Sequence, residues 1–476
     1  MIAEFLNRDV VLRVIEDIKK LPTDVGDRRS QGTVSPEDAR LVLEELTAAV
    51  ARDRQTPTGP RSYPLPPAEG RRGGGADTQP PPIEDRAFIS SDWVISLLQS
   101  ALDALYQEPE YRRLIKKEAP GADRRGGKTT DPVTDLSLGF EQPRAAPPGR
   151  RIFDKFSITD LGWVRAKLAE GIRLFRKRHA FNDAPAKPAT IPARARLVLV
   201  GDWGSGVPRA RAVAKQMRKE VVAARKDGVA THVIHLGDVY YSGWDHEYQR
   251  RFLPYWPVQQ AEAGTIGSWC LNGNHDMYSG GHAYFGTALK EPRFAPWHSN
   301  ANGPSSFFSL VNANWKILGL DSAWDDGGLK DPQSDWLRDE LRSSGNRKTL
   351  LLSHHQFVSA YESVAKDLIA KVSPILEVKP VTAWFWGHEH RCMHFSTNVE
   401  VAFGRCLGDG GVPVYQWHKA GDPVKAPGTY EHRACIKHGL EHWAKMGFAV
   451  LDLIGDRIEA RYLDEDGVEH ARETIA

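Results

Sequence analysis

Five short hydrophobic runs lie after residue 190, and each of them ends at a glycine or a polar cluster. Each run is apolar, rich in residues that favour strands and of strand length, so the pattern predicts five β-strands. Apolar residues at helical spacing follow, from Pro208 to Arg225 and from Pro332 to Leu341. Strands that alternate with helices predict an α/β domain, which we place at residues 194–476. The five runs read ARLVLVGDWG, THVIHLGDVYY, SWCLNGNHD, KTLLLSHH and VTAWFWGHEH.

Two further segments predict hairpins. SSFFSLVNANWKILGLDS, at residues 305–322, predicts two antiparallel strands with a turn at Asn312 to Asn314. FAVLDLIGDRIEARYLDEDG, at residues 448–467, predicts a β-hairpin with a Gly-Asp turn.

The first 190 residues have a different pattern, with helical stretches separated by segments rich in Pro, Gly and Arg. Residues 52–86 and 119–150 contain too little apolar surface to order themselves, so they are predicted to be linkers. We therefore expect residues 1–190 to form a mainly helical N-terminal region. Apolar residues recur at helical spacing in residues 1–50, residues 88–118 and Phe156 to Phe181.

Composition and charge do not change the predicted fold, but they indicate the cellular compartment in which the protein is expected. The chain is 41% hydrophobic and 26% charged, with a net charge of +2, so neither nucleic acid nor a membrane surface is an expected partner. The N-terminus lacks the pattern of a secretory signal, and no run approaches the length of a membrane span. The four cysteines stand far apart, which is typical of reduced thiols. We expect a cytoplasmic protein.

Polar side chains that can bind metal ions follow each of the five predicted strands. In an open α/β sheet, residues at the carboxyl ends of strands meet in one crevice, so these side chains are expected to converge. Imidazole and carboxylate suit a pair of metal cations, and one carboxylate can bridge two ions. Such a pair can clamp a phosphate group and activate a water molecule. The residues are Asp202, Asp238, Tyr241, Asn274, His275, His354, His388 and His390.

The order and spacing of these motifs resemble those of the calcineurin-like metallophosphoesterases. The series is GD-x-G, GD-x-x-Y, GNHD, a strand that ends in histidine, and GHEH, and the resemblance covers roughly residues 194–470. The broad family opens with D-x-H, whereas Gly204 stands at the histidine position here. That departure, together with Tyr241, is similar to the purple-acid-phosphatase-like branch.

The resemblance implies a metallophosphoesterase four-layer αββα sandwich with a dinuclear metal centre. It implies a hydrolase that cleaves a phosphomonoester or a small phosphodiester with a metal-activated hydroxide, on a phosphorylated small molecule. The two ions would be Fe, Mn or Zn, and His275 would give a proton to the leaving group. The first metal would be held by Asp202, Asp238, Tyr241 and His390. The second would be held by Asp238, Asn274, His354 and His388.

Three other residues are candidate substrate contacts. His355 follows His354, and because neighbours on a strand point to opposite faces, only one of the two is expected to bind a metal. His282 and Tyr284 lie in the glycine-rich stretch MYSGGHAYFG, which we expect to form a loop over the site.

Two alternative functions remain open. The arginine-bearing linkers are the one feature that favours a nuclease acting on polymeric nucleic acid. A metal-stabilised scaffold is the other alternative, and it would bind a protein partner through its helical N-terminal region.

Overall fold

The computed structural model describes residues 8–20, 36–55, 90, 92–107, 161–395, 400–414, 424–438 and 441–476. Most of the two predicted linkers, 52–86 and 119–150, lies outside these residues, and so do residues 108–118 of a predicted helical stretch. The structure extends one helix to Gln55, so the first predicted linker begins too early by four residues, 52–55.

Four helices account for the described part of the N-terminal region. The third of them is buried on nearly every side, which is typical of a central helix in a bundle. The Arg165 guanidinium donates a hydrogen bond to the carbonyl of Ile18 and so joins the first helix to the fourth. These helices are α1 (Arg8–Lys19), α2 (Pro36–Gln55), α3 (Trp93–Gln107) and α4 (Leu161–Arg176).

The chain divides into two compact units between Ile172 and Arg173. The helices up to Ile172 belong to one unit, and Arg173–Ala476 belong to the other. Residues 173–190 therefore belong to the α/β unit, where β1 (Ala189–Thr190) pairs with a strand of the larger sheet. The α-helices of the described residues in this unit are α5 (Pro208–Lys226), α6 (Asp245–Glu247), α7 (Asn274–Tyr278), α8 (Ala295–His298), α9 (Gln333–Arg342) and α10 (Lys366–Val378). None of the helices in the described ranges has the length and apolar character of a membrane span.

Two mixed sheets form the centre of the α/β unit. The six-stranded sheet has the order β18-β17-β16-β2-β3-β4. Its strands are β2 (Arg194–Val200), β3 (Ala230–His235), β4 (Gly267–Cys270), β16 (Gly447–Ile454), β17 (Arg457–Asp464) and β18 (Glu469–Ile475). The eight-stranded sheet has the order β1-β7-β8-β9-β10-β12-β11-β13. Its other strands are β7 (Phe308–Val311), β8 (Trp315–Gly319), β9 (Lys348–Ser353), β10 (Val381–Trp386), β11 (Cys392–Phe395), β12 (Val401–Leu407) and β13 (Gly428–Glu431).

Four short strands pair outside these sheets. Each pair is antiparallel. The pairs are β5 (Ser299–Asn300) with β6 (Gly303–Pro304), and β14 (Cys435–His438) with β15 (Glu441–Ala444).

The alternation of side chains along β2 shows how the layers form. Leu197 and Leu199 pack in one cluster with Leu350 of the eight-stranded sheet, whereas Val198 and Val200 pack with α5. Successive residues of a strand point to opposite faces, so β2 buries both faces and reads as a continuous apolar run. The cluster that contains Leu197, Leu199 and Leu350 therefore lies between the two sheets.

The outer face of the eight-stranded sheet is covered in the same way. Leu351 and Trp384 on this sheet pack in one cluster with Leu337 of α9 and Val372 of α10. The layers follow the order helix, sheet, sheet, helix, which confirms the αββα sandwich. Both predicted hairpins are also confirmed, because β7 pairs antiparallel with β8 and β16 pairs antiparallel with β17.

Candidate metal centre

Polar side chains from both sheets follow the carboxyl ends of parallel strands. Strands β2, β3 and β4 run parallel in one sheet, and β9 and β10 run parallel in the other. Each strand is followed within four residues by a predicted ligand. The backbone N–H of His388 donates to Asp202 Oδ2 at 2.7 Å, so a hydrogen bond joins the two sets of strand ends.

Three of the predicted ligands have backbones in the left-handed region. Among the described residues, four other than glycine have positive φ, and three of them are Asp202 (55°), Asp238 (76°) and His388 (69°). Each such conformation costs roughly 1–3 kcal/mol and persists only where the surroundings hold it, which is common at functional sites. These turns aim the side chains away from the ends of their strands and into one crevice.

The first group of converging atoms surrounds the hydroxyl of Tyr240. Tyr240 Oη lies 2.9 Å from Asp202 Oδ1, 3.1 Å from Asp238 Oδ2 and 3.2 Å from His390 Nε2. His390 Nε2 lies 3.5 Å from Asp202 Oδ1. Burial raises the pKa of Tyr240 well above its ordinary value, and the charges of Asp202 and Asp238 raise it further. The phenol therefore keeps its proton while it faces these carboxylates alone.

The sequence-based assignment gave this place to Tyr241, and the structure differs. The Tyr241 ring packs against the Arg251 guanidinium, with 4.6 Å between the guanidinium carbon and the ring centroid. Both tyrosines lie in the turn that follows β3, and the hydroxyl that contacts Asp202, Asp238 and His390 is that of Tyr240. The tyrosine beside Asp202 and His390 is Tyr240.

The second group joins Asn274, His354 and His388. Asn274 Oδ1 lies 2.9 Å from His354 Nε2 and 2.9 Å from His388 Nδ1, and these two nitrogens lie 3.2 Å apart. His354 Nε2 also lies 3.5 Å from Asp238 Oδ2. Asp238 therefore stands between the two groups, and its Oδ2 atom approaches both.

Hydrogen bonds behind the second group turn its lone pairs inward. His354 donates from Nδ1 to the carbonyl of Leu236 at 3.0 Å, which leaves a lone pair on Nε2. Asn274 donates from Nδ2 to the hydroxyl of Tyr278, which turns its Oδ1 toward His354 and His388. Metal-binding histidines are commonly oriented in this way. Two acceptors that face each other at 2.9 Å repel unless a cation lies between them, so this donor set fits a metal ion.

Buried negative charge gives a second reason to expect cations. Asp202 is fully buried and Asp238 is 1% exposed. Burial raises the pKa of Asp238 well above its ordinary value, and the nearby carboxylates of Asp202 and Asp276 raise it further. A group of carboxylates this far from water needs positive charge to remain ionised, and metal ions supply that charge.

Asp276 is a structural residue of the site that the sequence did not assign. Its carboxylate accepts hydrogen bonds from the backbone N–H groups of Asp238, Val239 and Gly273, at 2.7 to 3.1 Å. The Tyr248 hydroxyl donates to it as well. Asp276 therefore holds the turn after β3 against the start of α7. An acidic residue three positions after Gly273, at the start of a helix, was the available signal.

His275 lies directly behind Asp238. Its backbone N–H donates to Asp238 Oδ1 at 2.9 Å, and its ring nitrogen Nδ1 donates to the carbonyl of Tyr241. The ring centroids of His275 and Tyr240 are 4.5 Å apart. Burial lowers the pKa of His275 to about 3, so the imidazole is neutral before a charged ligand arrives.

The three candidate substrate contacts have different surroundings. The ring centroid of His355 lies 4.8 Å from that of His388, and its Nδ1 lies 3.0 Å from Ser322 Oγ. The exposed His282 places Nε2 2.9 Å from the carbonyl of Lys177. The expectation that Tyr284 contacts a substrate is wrong. The residue is fully buried in the core, and its hydroxyl donates to the carbonyl of Cys270 at 2.7 Å. Tyr284 therefore offers no surface to a substrate.

Glycine allows the strand ends to approach each other closely. A Cβ atom on Gly273 would lie 2.0 Å from Asp238 Oδ1. A Cβ atom on Gly237, whose φ is 108°, would lie 2.7 Å from His354 Nδ1. Larger residues at these two positions would therefore separate the two groups of converging atoms.

The chain is similar in sequence to known proteins. Residues 195–392, a range that contains all seven predicted ligands, match the family model described as calcineurin-like phosphoesterase. The chain is 25% identical to tartrate-resistant acid phosphatase type 5 of Mus musculus over 237 residues, which cover 44% of this chain and 70% of that protein. It is 24% identical to the Homo sapiens protein of the same name over 301 residues, which cover 57% and 88%. A solved structure of a dimetal phosphatase from Danio rerio is 17% identical, with a TM-score of 0.39, over 59% of this chain and 98% of that one.

Proposed function

We propose that the chain cleaves a phosphomonoester or a small phosphodiester at a dinuclear metal centre. Residues 195–392 belong to the calcineurin-like phosphoesterases, which are hydrolases of phosphoester bonds. The position of Asp238 carries this proposal. Its Oδ2 atom lies 3.1 Å from Tyr240 Oη in the first group and 3.5 Å from His354 Nε2 in the second. One carboxylate shared by two sets of ligands is the arrangement that two neighbouring cations require.

The two groups would each hold one ion. The first ion would be held by Asp202, Asp238, Tyr240 and His390, and the second by Asp238, Asn274, His354 and His388. Bound cations of this kind neutralise phosphate charge and lower the pKa of a water molecule to near neutrality. The side chains themselves fix the position of the phosphate by holding their lone pairs inward.

His275 would protonate the leaving group. Its Nδ1 holds a proton on the carbonyl of Tyr241, so Nε2 is the atom that exchanges a proton with a ligand. Proton donation requires the imidazolium form, which burial opposes and a phosphate dianion beside the ring would favour. A departing alkoxide would then leave as an alcohol.

Neither alternative function gains support from the described residues. The arginine-bearing segments that favoured a nuclease fall almost entirely outside them. A scaffold would need no inward-facing donor set, whereas the two groups around Asp238 form one.

Removal of the metal ions tests the proposal. We expect elemental analysis to find two ions per chain, and we expect a strong chelator to abolish turnover of p-nitrophenyl phosphate. Iron, manganese or zinc added back should restore turnover, because the donors are oxygen and imidazole groups. Full turnover by a preparation shown to be free of metal would refute the dinuclear centre.

A matched pair of tyrosine variants tests the first group. Tyr240→Phe is expected to lower metal affinity or turnover by roughly 10–100-fold, the range for loss of a group that tunes a metal site. Tyr241→Phe should change both less than Tyr240→Phe does, because a phenyl ring keeps the contact with Arg251 and the Tyr240 hydroxyl keeps its place beside Asp202 and His390. If the first ion is ferric iron, its visible absorption band should disappear only in Tyr240→Phe. The reverse pattern would restore the assignment of Tyr241.

A further inference from the structure

A cavity of about 340 Å³ opens beside the second group of ligands. His388 and His355 form the part of its wall that is nearest to the candidate metal centre. The opposite wall is formed by the start of α10 and the residues just before it. A volume of this size suits a small organic molecule. A phosphate held by the two groups would therefore project its organic part into this space.

The far wall carries two adjacent side chains of opposite charge. Lys366 and Asp367 are both exposed and both line the cavity. In the described part of the chain neither of them forms an ion pair with another side chain. Asp326, the other carboxylate of the wall, is already paired with Arg178. The ionic groups left for a ligand are therefore one ammonium and one carboxylate.

Gln356 adds an acceptor to the same wall. It is only 2% exposed, and its Nε2 donates to the carbonyl of Ser363 at 2.7 Å, which fixes the orientation of the amide. Its Oε1 atom has no hydrogen-bond partner among the described residues. The fixed amide is therefore a rigid part of this wall. Val364 and Ala365 supply the apolar part of the wall.

These features describe a ligand with both signs of charge on a short carbon chain. We propose that the cavity binds the organic part of a phosphomonoester whose alcohol is a zwitterion, with an ammonium group and a carboxylate. The ammonium group pairs with Asp367, and the carboxylate pairs with Lys366. This assignment rests on the proposed function, since the phosphate must lie on the metal centre beside His388.

A panel of four alkyl phosphates separates the two charges. O-phosphoserine carries both groups, phosphoethanolamine carries only the ammonium, phosphoglycolate carries only the carboxylate, and propyl phosphate carries neither. We expect kcat/KM to be highest for O-phosphoserine and lowest for propyl phosphate. Each ionic contact should contribute roughly tenfold, which is the usual size of a charge-assisted hydrogen bond at a half-exposed site.

Two variants then assign each charge to its partner. Lys366→Met should lower kcat/KM roughly tenfold for O-phosphoserine and phosphoglycolate and leave phosphoethanolamine unchanged. Asp367→Asn should lower it roughly tenfold for O-phosphoserine and phosphoethanolamine and leave phosphoglycolate unchanged. Lys379→Met and Glu377→Gln, at the other end of α10, are the matched controls and should change none of the four values.

p-Nitrophenyl phosphate keeps this test separate from that of the proposed function. The unaltered chain and the control variants Lys379→Met and Glu377→Gln should hydrolyse it at the same rate, whether or not the cavity recognises the two charges. The zwitterion assignment is overturned if O-phosphoserine is no better a substrate than propyl phosphate, or if each variant lowers all four substrates equally. Turnover of p-nitrophenyl phosphate in either case would leave the phosphatase activity standing.

Discussion

Asp238→Asn is expected to reduce metal-dependent turnover of p-nitrophenyl phosphate by about 10³-fold or more. The asparagine keeps the size of the side chain, and its oxygen still accepts the hydrogen bond from the backbone N–H of His275. It loses the negative charge and the second oxygen that faces Tyr240 and His354. A cation pair contributes several kcal/mol of charge stabilisation, and each 1.36 kcal/mol corresponds to a factor of ten in rate.

The variant needs a structural control and a metal measurement. Asp339→Asn alters a carboxylate that is 78% exposed on α9, and it should leave turnover and metal content unchanged. Elemental analysis of Asp238→Asn should show the loss of one or both ions. Unaltered turnover in Asp238→Asn would exclude the proposed centre, because the Asp238 carboxylate is the proposed bridge between the two groups.

The second large effect is expected in His275→Asn, and it should depend on the leaving group. For an alkyl phosphate, the loss of a general acid should lower kcat by about 10²–10⁴-fold. For p-nitrophenyl phosphate the loss should be much smaller, since p-nitrophenolate departs without a proton. The measurement is kcat for both substrates in the same preparation.

The comparison between substrates distinguishes proton donation from a packing role. The backbone N–H that contacts Asp238 remains in the variant, so the position of that ligand is retained. An equal loss on both substrates would mean that His275 only supports the neighbouring ring of Tyr240. His442→Asn, which alters an exposed histidine on β15, is the matched control and should have no effect.

The fold could be predicted well from the chain because its strands are buried on both faces. Runs such as β2 and β10 are continuously apolar and end abruptly at Gly201 and Gly387, so both their type and their ends are readable. The αββα sandwich, the two hairpins and the superfamily were confirmed for this reason. The N-terminal helices were found from their spacing, but the end of α2 at Gln55 was missed because the charged residues of its last turn look like linker.

The candidate site could be predicted residue by residue only where a single polar side chain follows a strand. Asp202 is such a case, and in the structure its Oδ2 accepts a hydrogen bond from the backbone N–H of His388. Where two similar residues are adjacent, the pattern cannot say which one faces the crevice. The resemblance pointed to Tyr241, whereas the structure brings the hydroxyl of Tyr240 next to Asp202. The metal-binding roles themselves remain predictions.

The remaining differences come from packing that no local pattern encodes. Tyr284 looked like a surface tyrosine because glycines surround it, yet its ring completes the core beneath β4. The cavity beside His388 joins residues 326 and 366, which approach each other only because the carbonyl of Gly327 accepts a hydrogen bond from the first turn of α10. Contacts between residues so far apart in sequence can be identified only from the three-dimensional structure.

The division of the ligands between two sheets has a mechanical consequence. Asp202 and Asp238 follow strands of the six-stranded sheet, whereas His354 and His388 follow strands of the eight-stranded one. Metal ions bound to these four residues would cross-link the two sheets at the carboxyl ends of their parallel strands, as a disulfide bond would. Demetallation should then speed amide hydrogen exchange at the carboxyl ends of β2 and β10 first, before the opposite rim is affected.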